Sequence, residues 1–479
     1  MSRPNILLLT IDCLRYDRCG FNGYTRPTTP TLTELAQSSL VFDNAIATGP
    51  YTPESAPGFL AGLHGYNSAC YSDVDWTAIP NDAETLASHF RDAGWKTIAT
   101  ISNPQLTTER NFDTGFDSFR NLRTKDTETE IGNPPGSAGP LRERMNSILY
   151  SMRDRMRSME NTALSSALYA LYRYQQLRTD WPTTRGEVVV DSLFDELDAW
   201  DQDRPFFAWT HLMDLHAPLH PESVSEGGLA WSDATVRHLL ADAGRMANQH
   251  TPAYETMYDS ALRYVDAQIS RVVDYLQQEG VWDETILVVT ADHGEALFER
   301  GVYGHQYHNM FDELLHVPFL VRTPDETAER FDAPFSLAWI HELLADLADI
   351  ERGPLPATSG RSSHLNDEDH AIALSDSVSH RGHTVTARTA RHKFVRHFGE
   401  SLYREHQLAS AVESFNNEGV IYDLRADPPE HLPLDAVESP TELRELVVDV
   451  QVKPSDIPSL AGELDTEAKA RLQDLGYVE

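Results

Sequence analysis

Ala291-Asp292-His293-Gly294-Glu295 puts a carboxylate and an imidazole at successive positions, directly after the apolar run Thr285–Thr290. Two such groups in one turn can reach a single metal ion, and the glycine behind them lets the backbone turn tightly. A lone Asp-His pair is more often a capping Asp beside a loop His; the strand before it and the glycine after it favour chemistry. Asp12 follows the apolar run Ile6–Ile11 in the same way. An Asp after a strand commonly caps a helix; here Asp17 is available for the cap, which leaves Asp12 for metal.

Thr52 stands in Thr48-Gly-Pro-Tyr-Thr-Pro-Glu-Ser-Ala-Pro-Gly-Phe-Leu-Ala-Gly62. It reads as a helix N-cap followed by proline. A hydroxyl at a helix N-terminus also suits a nucleophile, because that end stabilises the charge on a phosphate or sulfate. A metal on the hydroxyl would lower its pKa. Ser55 is the competing hydroxyl. His211-Leu-Met-Asp214-Leu-His216-Ala-Pro218 follows another apolar run, and in an extended segment Asp214 and His216 share a face. Gly304-His305-Gln-Tyr-His308 adds two imidazoles. With 20 His in the chain some clusters arise by chance, but these two follow the same strand–loop pattern.

The elements that must position these groups are legible as alternating runs. Ile6–Ile11, Thr97–Ser102, Pro205–His211, Thr285–Thr290 and Pro318–Val321 read as buried parallel strands. Pro30–Ser38, Ala83–Ala93 and Tyr254–Glu279 read as helices, the last stopped by Gly280. The pattern predicts an α/β fold, a mostly parallel sheet flanked by helices, with ligands beyond the carboxyl ends of the strands. A helical insertion is expected at about 123–185, opening with a polar loop over Glu130–Pro140. It carries a basic cluster of Arg142, Arg144, Arg153, Arg155, Arg157 and Arg173, read as a surface balanced by acidic neighbours or as a contact for an anionic partner. A linker at Gly360–Asp367 divides a catalytic domain, 1–360, from a small C-terminal subdomain, 361–479. In the latter, Ala371–Leu374, Thr384–Ala387 and Lys393–His397 read as short strands and Leu464–Leu475 as a terminal helix.

Composition narrows the partners. The chain has 479 residues, 41% of them hydrophobic, and a net charge of −35. Only five of its 39 basic residues are Lys. Such a surface repels nucleic acid and anionic membranes. It suits very high salt, where the Debye length shrinks to roughly 3 Å at 1 M, so a halophilic protein is expected. Cys13, Cys19 and Cys70 are too few for a disulfide framework. The apolar run near the N-terminus is too short for a signal peptide, and no run is long enough for a membrane span. The cytoplasm is the expected location.

In this order the segments resemble the sulfatase family of the alkaline phosphatase superfamily. PNILLLTIDCLRYDRCG looks like the family's opening strand and metal-binding Asp. TTPTLTELAQSSLVFDNAIAT, FDTGFDSF, HLMDLHAPLHP, GHQYHNMFDELLHVPFLV and YDLRADPPEHLPL are similar to further family segments. YDSALRYVDAQISRVVDYLQQEGVWDETILVVTADHGE resembles its long helix, last strand and Asp-His-Gly-Glu. Only the insertion lies outside the resemblance, which implies an alkaline phosphatase-like fold. The departures are informative. The family's formylglycine motif, Cys-x-Pro-x-Arg, has Thr52 at its Cys and Ala56 at its Arg. The second Asp of the family's Asp-Asp pair is Cys13, and Ser102-Asn103-Pro104 stands where a Lys-Trp-His segment is expected. A Thr nucleophile is what the superfamily's phosphodiesterases and lipoteichoic-acid-synthase-like transferases use.

The resulting expectation is a metal-dependent hydrolase of sulfate or phosphate esters, acting on an anionic substrate such as a glycan or lipid headgroup. Asp12, Thr52, Asp292 and His293 would hold one divalent ion: Mn²⁺, Zn²⁺, Mg²⁺ or Ca²⁺, with oxygen-rich ligation leaning to a harder one. Thr52 would attack, and His216 or His305 would protonate the leaving oxygen or bind the non-bridging oxygens. Asp214, His216 and His305, if they converge, would bind a second metal or the substrate. Two alternatives remain: a phosphoglycerol- or phosphoethanolamine-type transferase, and an inactive binding protein.

Overall fold

The structure, a computed structural model, describes residues 3–71, 77–123, 162–179, 181–230, 235–247, 249–325, 327–352, 371–400, 402, 415–435 and 438–460. Glu130–Pro140, Arg142, Arg144, Arg153, Arg155, Arg157, Gly360–Asp367 and Leu464–Leu475 lie outside the described residues.

A nine-stranded sheet forms the centre. In chain order its strands are β1 (Asn5–Ile11), β2 (Leu40–Ile46), β3 (Lys96–Ile101), β4 (Ser118–Asn121), β5 (Phe206–Leu212), β6 (Thr285–Ala291), β7 (His316–Val317), β8 (Phe319–Arg322) and β9 (Glu329–Ser336). The sequence β6-β1-β5-β3-β4 is parallel throughout. The residues of β1, β5 and β6 are all buried, which is why these strands read as continuous apolar runs rather than alternating ones. Ile11 lies opposite both Leu212 and Ala291, so three strands end level and deliver Asp12, Met213 and Asp292 to one edge.

The run Pro318–Val321 is a strand, but not a parallel one. β8 pairs antiparallel with β6 and with β2. The chain leaves β6 at its carboxyl end, makes the excursion 292–318 on that side, and re-enters from the same edge. No crossover helix intervenes, so the direction must reverse. Strands β2 and β9 escaped the apolar-run criterion because each carries polar residues, Asp43-Asn44 and Glu329-Arg330.

Helices flank this sheet. α1 (Thr52–Ala61) is buried along its whole length. Its 10 residues include an internal Pro57, so tertiary packing rather than helix propensity sustains it. α2 (Thr162–Thr179), α3 (Gly186–Asp198), α4 (Thr235–Met246) and α5 (Pro252–Gln278) follow. α3 packs on β3 and β5. α5 buries Met257, Leu262, Val265, Ile269, Val272 and Leu276 at helical spacing, and Gly280 beyond it takes φ +71°. Arg173, the one member of the basic cluster among the described residues, is buried in α2, where its Nε donates to the Tyr169 hydroxyl at 2.7 Å and Asp242 lies 3.8 Å away. Among the described residues no helix is long and apolar enough to cross a membrane.

A second sheet follows, five-stranded and antiparallel: β10 (Ala373–Ser379), β11 (Gly382–Arg388), β12 (His392–Gly399), β13 (Val420–Asp423) and β14 (Leu434–Asp435). It is bound to the first part of the chain by a buried apolar cluster that includes Ile46, Phe311, Val395 and Tyr422, and by polar contacts. The Asp376 amide donates to the Thr48 carbonyl at 2.9 Å, and the Asp376 carboxylate accepts from Gly65 and Tyr66 N–H at 2.8 Å. Glu54 of α1 accepts from the Ser377 hydroxyl at 3.0 Å and the Val378 amide at 2.8 Å. Lys393 bridges Asp312 at 2.8 Å and Glu430 at 2.7 Å.

Candidate active site

Asp12 continues the β1–β5 ladder by one bond, its N–H donating to the Leu212 carbonyl at 2.9 Å. Cys13 then turns at φ +62°, a left-handed conformation uncommon for a residue with a side chain. No helix starts there, so Asp12 is not a cap. Neither is Asp17, whose carboxylate grips the Arg15 guanidinium at 2.7 and 2.8 Å.

The residue with N-cap geometry before α1 is Tyr51, and Thr52 is the first helical residue. The Thr52 hydroxyl is therefore not occupied by capping. It lies 3.2 Å from Asp12 Oδ2, to which it donates, and 3.4 Å from His293 Nε2. Ser55, the competing hydroxyl, donates to the Asp292 carbonyl at 2.6 Å and ties α1 to the end of β6.

Asp292 Oδ1 accepts from the His293 amide at 2.8 Å. Its Oδ2 is buried without a hydrogen-bond partner and lies 3.6 Å from His293 Nε2. His293 donates from Nδ1 to the Gly294 carbonyl at 2.7 Å, which leaves the Nε2 lone pair aimed at Thr52 and Asp292. Gly294 is required for space: a β-carbon there would stand 2.1 Å from the Glu313 carbonyl oxygen.

The Asp12, Asp292 and His293 ligand atoms all lie within 4.8 Å of one another. Two adjacent buried carboxylates call for countercharge. Among the described residues the basic side chains paired with them are imidazoles, His211 on Asp12 and His293 on Asp292. Burial and the Asp12 charge push Asp292 up, although His293 opposes them. Burial would raise Asp12 too, but His216, His211 and His293 hold it well below the usual carboxylate range. An orphaned carboxylate oxygen, an aimed imidazole and a shortage of positive charge fit a divalent cation.

His305 reaches this pocket. Its ring centroid is 4.4 Å from that of His293 and 5.1 Å from that of His216. Burial would lower its pKa, but Glu295, with Oε1 3.2 Å from Nδ1, outweighs this and raises it. Burial pulls His216 down to about 4, and its Nδ1 donates to the Ala217 carbonyl at 2.7 Å.

Asp214 does not converge with them. Its Oδ1 accepts from the Ser223 hydroxyl at 2.9 Å, and its Oδ2 lies 2.7 Å from where a Gly186 β-carbon would be. Burial pushes its pKa up to about 6. Asp214 and His216 do not share a face because the segment leaves β5 as a turn rather than continuing extended. His308 also departs, its Nδ1 meeting Thr384 of the second sheet at 2.8 Å.

Four groups in the pocket were not among the expected site residues. His211 Nε2 lies 3.4 Å from Asp12 Oδ2, and its Nδ1 is 2.8 Å from the Thr10 hydroxyl. Asn103 donates from Nδ2 to the same Asp12 oxygen at 3.3 Å. Cys13 Sγ donates to Asp12 Oδ1 at 2.8 Å, its thiol pushed up by burial and by Asp12, Glu295 and Asp292. Glu295 is the fourth, visible in sequence only as the last letter of Asp-His-Gly-Glu.

A model of the sulfatase family matches residues 4–350. An arylsulfatase of Clostridium perfringens is 24% identical over 472 residues, covering 89% of each chain. The human iduronate 2-sulfatase is 23% identical, covering 68% of this chain and 60% of its own. Two solved structures share the fold. One was determined in complex with its substrate D-glucosamine-2-N,6-O-disulfate (TM-score 0.63, 17% identity, 95% of this chain and 99% of that one). The other is a phosphonate monoester hydrolase of Agrobacterium radiobacter (TM-score 0.59, 17% identity, 93% and 94%).

Proposed function

Because the chain belongs to the sulfatase family, we propose that it hydrolyses sulfate or phosphate esters by in-line displacement, with Thr52 as the nucleophile. The observation that carries this reading is the setting of the Thr52 hydroxyl. It sits at the positive end of α1, 3.2 Å from Asp12 and 3.4 Å from His293, and is not used as a cap.

A divalent ion held by Asp12, Thr52, Asp292 and His293 would lower the pKa of the hydroxyl and offset charge on the transferred group. The hydroxyl donates to Asp12 Oδ2, which supports a route for its hydrogen away from the attacking oxygen. His305, kept basic by Glu295, carries a proton for the leaving oxygen. His216 keeps Nε2 as the acceptor nitrogen because Nδ1 is committed to Ala217. With Ala56 and Asn103 standing at positions where the family resemblance implies Arg and the Lys-Trp-His segment, this centre has little fixed positive charge. That favours a transferred group bearing one negative charge, a sulfate ester or phosphodiester, over a dianionic phosphate monoester. The iduronate 2-sulfatase relative, and the neighbour solved with a glucosamine disulfate, support a sulfated glycan as substrate.

The test is activity on paired p-nitrophenyl sulfate, p-nitrophenyl phosphate and bis(p-nitrophenyl) phosphate, with and without an alcohol acceptor, together with metal content. Thr52→Ala is expected to lower kcat on the order of 10³-fold or more; unchanged turnover would remove Thr52 as nucleophile. Product appearing only with the acceptor identifies a transferase. No turnover of any ester and no bound metal identifies a binding protein.

A further inference from the structure

The pocket also contains a thiol that the reaction above does not use. Cys13 Sγ is 2.8 Å from Asp12 Oδ1 and 3.5 Å from His305 Nδ1. Two sets of ligand atoms meet here, each set within 4.8 Å: Asp12, Asp292 and His293, and Cys13, His293 and His305. Both sets need His293 Nε2, because Nδ1 is bonded to the Gly294 carbonyl. One nitrogen serves one ion, so the two sets are halves of a single pocket.

The halves differ in softness. Carboxylate oxygens suit Mg²⁺, Ca²⁺ and Mn²⁺, whereas thiolate and imidazole select Zn²⁺ and its softer congeners. With His305 on the ion, His216, whose ring lies 5.1 Å from that of His305, is the imidazole left to serve the leaving oxygen. We propose that this centre is thiophilic: it binds a Zn²⁺-class ion with Cys13 Sγ as a ligand, in preference to Ca²⁺ or Mg²⁺. Binding breaks the Cys13 S–H bond, the sulfur lone pair forms the bond to the ion, and the proton passes to solvent. Asp12 Oδ1, which accepts that hydrogen, is the adjacent base. The inference rests on the metal reading under Proposed function and replaces the hard ion favoured by an oxygen-rich set. Cys19, whose Sγ donates to the Arg15 carbonyl at 3.5 Å, and Cys70 are internal controls.

Metal-free protein is titrated with Zn²⁺, Ca²⁺ and Mg²⁺ by calorimetry and with Cd²⁺ by ultraviolet absorption, as wild type, Cys13→Ser and Cys13→Asp. The wild type is expected to bind Zn²⁺ ahead of Ca²⁺ and to show a thiolate-to-Cd²⁺ charge-transfer band. Cys13→Ser is expected to lose the band and weaken Zn²⁺ binding on the order of 10- to 100-fold. Cys13→Asp is expected to lose the band and gain Ca²⁺ affinity. A wild type without the band, or a band unchanged in Cys13→Ser, overturns the proposal; the wild-type comparison holds even if a variant misfolds. If the band is absent while Thr52→Ala still abolishes turnover, the thiolate assignment falls and the hydrolase reading stands. A Cys13-dependent band without turnover of any ester does the reverse.

Discussion

Asp12 Oδ2 is a shared acceptor: Thr52, Asn103 and His211 all direct a polar atom at it, at 3.2, 3.3 and 3.4 Å. Trp209 N–H donates to the Thr10 hydroxyl at 3.0 Å, and that hydroxyl donates to the Thr210 carbonyl at 3.2 Å and lies 2.8 Å from His211 Nδ1. That holds the ring with Nε2 toward Asp12 Oδ2, 3.4 Å away. His211→Ala should lower kcat/KM on the order of 10- to 100-fold, and His211→Gln should recover part of the loss, because its amide can still donate to Asp12. Equal kinetics for the wild type and His211→Ala would show that the contact is not used. The sequence could not single out His211, since a His within an apolar strand is as often a satisfied core residue. Nor could it give Asn103 a role: on that loop it is visible only as part of the segment Ser102-Asn103-Pro104, where the resemblance implies Lys-Trp-His. Asp12 and Asp292–His293 were legible because each directly follows an uninterrupted apolar strand.

At the scale of elements, register does the positioning. Because Ile11 faces both Leu212 and Ala291, a one-residue slip would turn Asp12 toward the opposite face of the sheet. The turn after β6 is fixed by crowding, with Gly294 against the Glu313 carbonyl. Gly294→Ala should cost ~1–3 kcal/mol by overpacking. The denaturant midpoint measures this, and an unchanged midpoint would contradict the contact. Parallel strands and long helices were readable from periodicity. The reversed direction of β8 was not, because direction depends on where the chain re-enters the sheet. Asp214 likewise misled as a sequence neighbour of His216, since a turn rather than an extended segment joins them.

The whole molecule carries −35 net charge, so screening should relieve self-repulsion. We propose that the thermal midpoint rises as KCl is added; no gain removes the halophilic reading. The same measurement against pH has a definite sign. Burial pulls His220 and His341 down to about 4, and His308 below its ordinary value. The unfolded chain takes up protons first as pH falls, so stability from these residues is complete above about 6.5 and is lost progressively toward 4. A midpoint drop of about 5 °C or more across that window is expected; a flat profile would mean these imidazoles are not held neutral.

Glu54, two residues after Thr52, takes its hydrogen bonds from Ser377 and Val378, the first of them 323 residues further along the chain. On the ribosome α1, which carries Thr52, therefore emerges well before the strand that anchors it. We propose that α1 settles, and the Thr52 hydroxyl takes its place beside Asp12 and His293, only once β10 has left the exit tunnel.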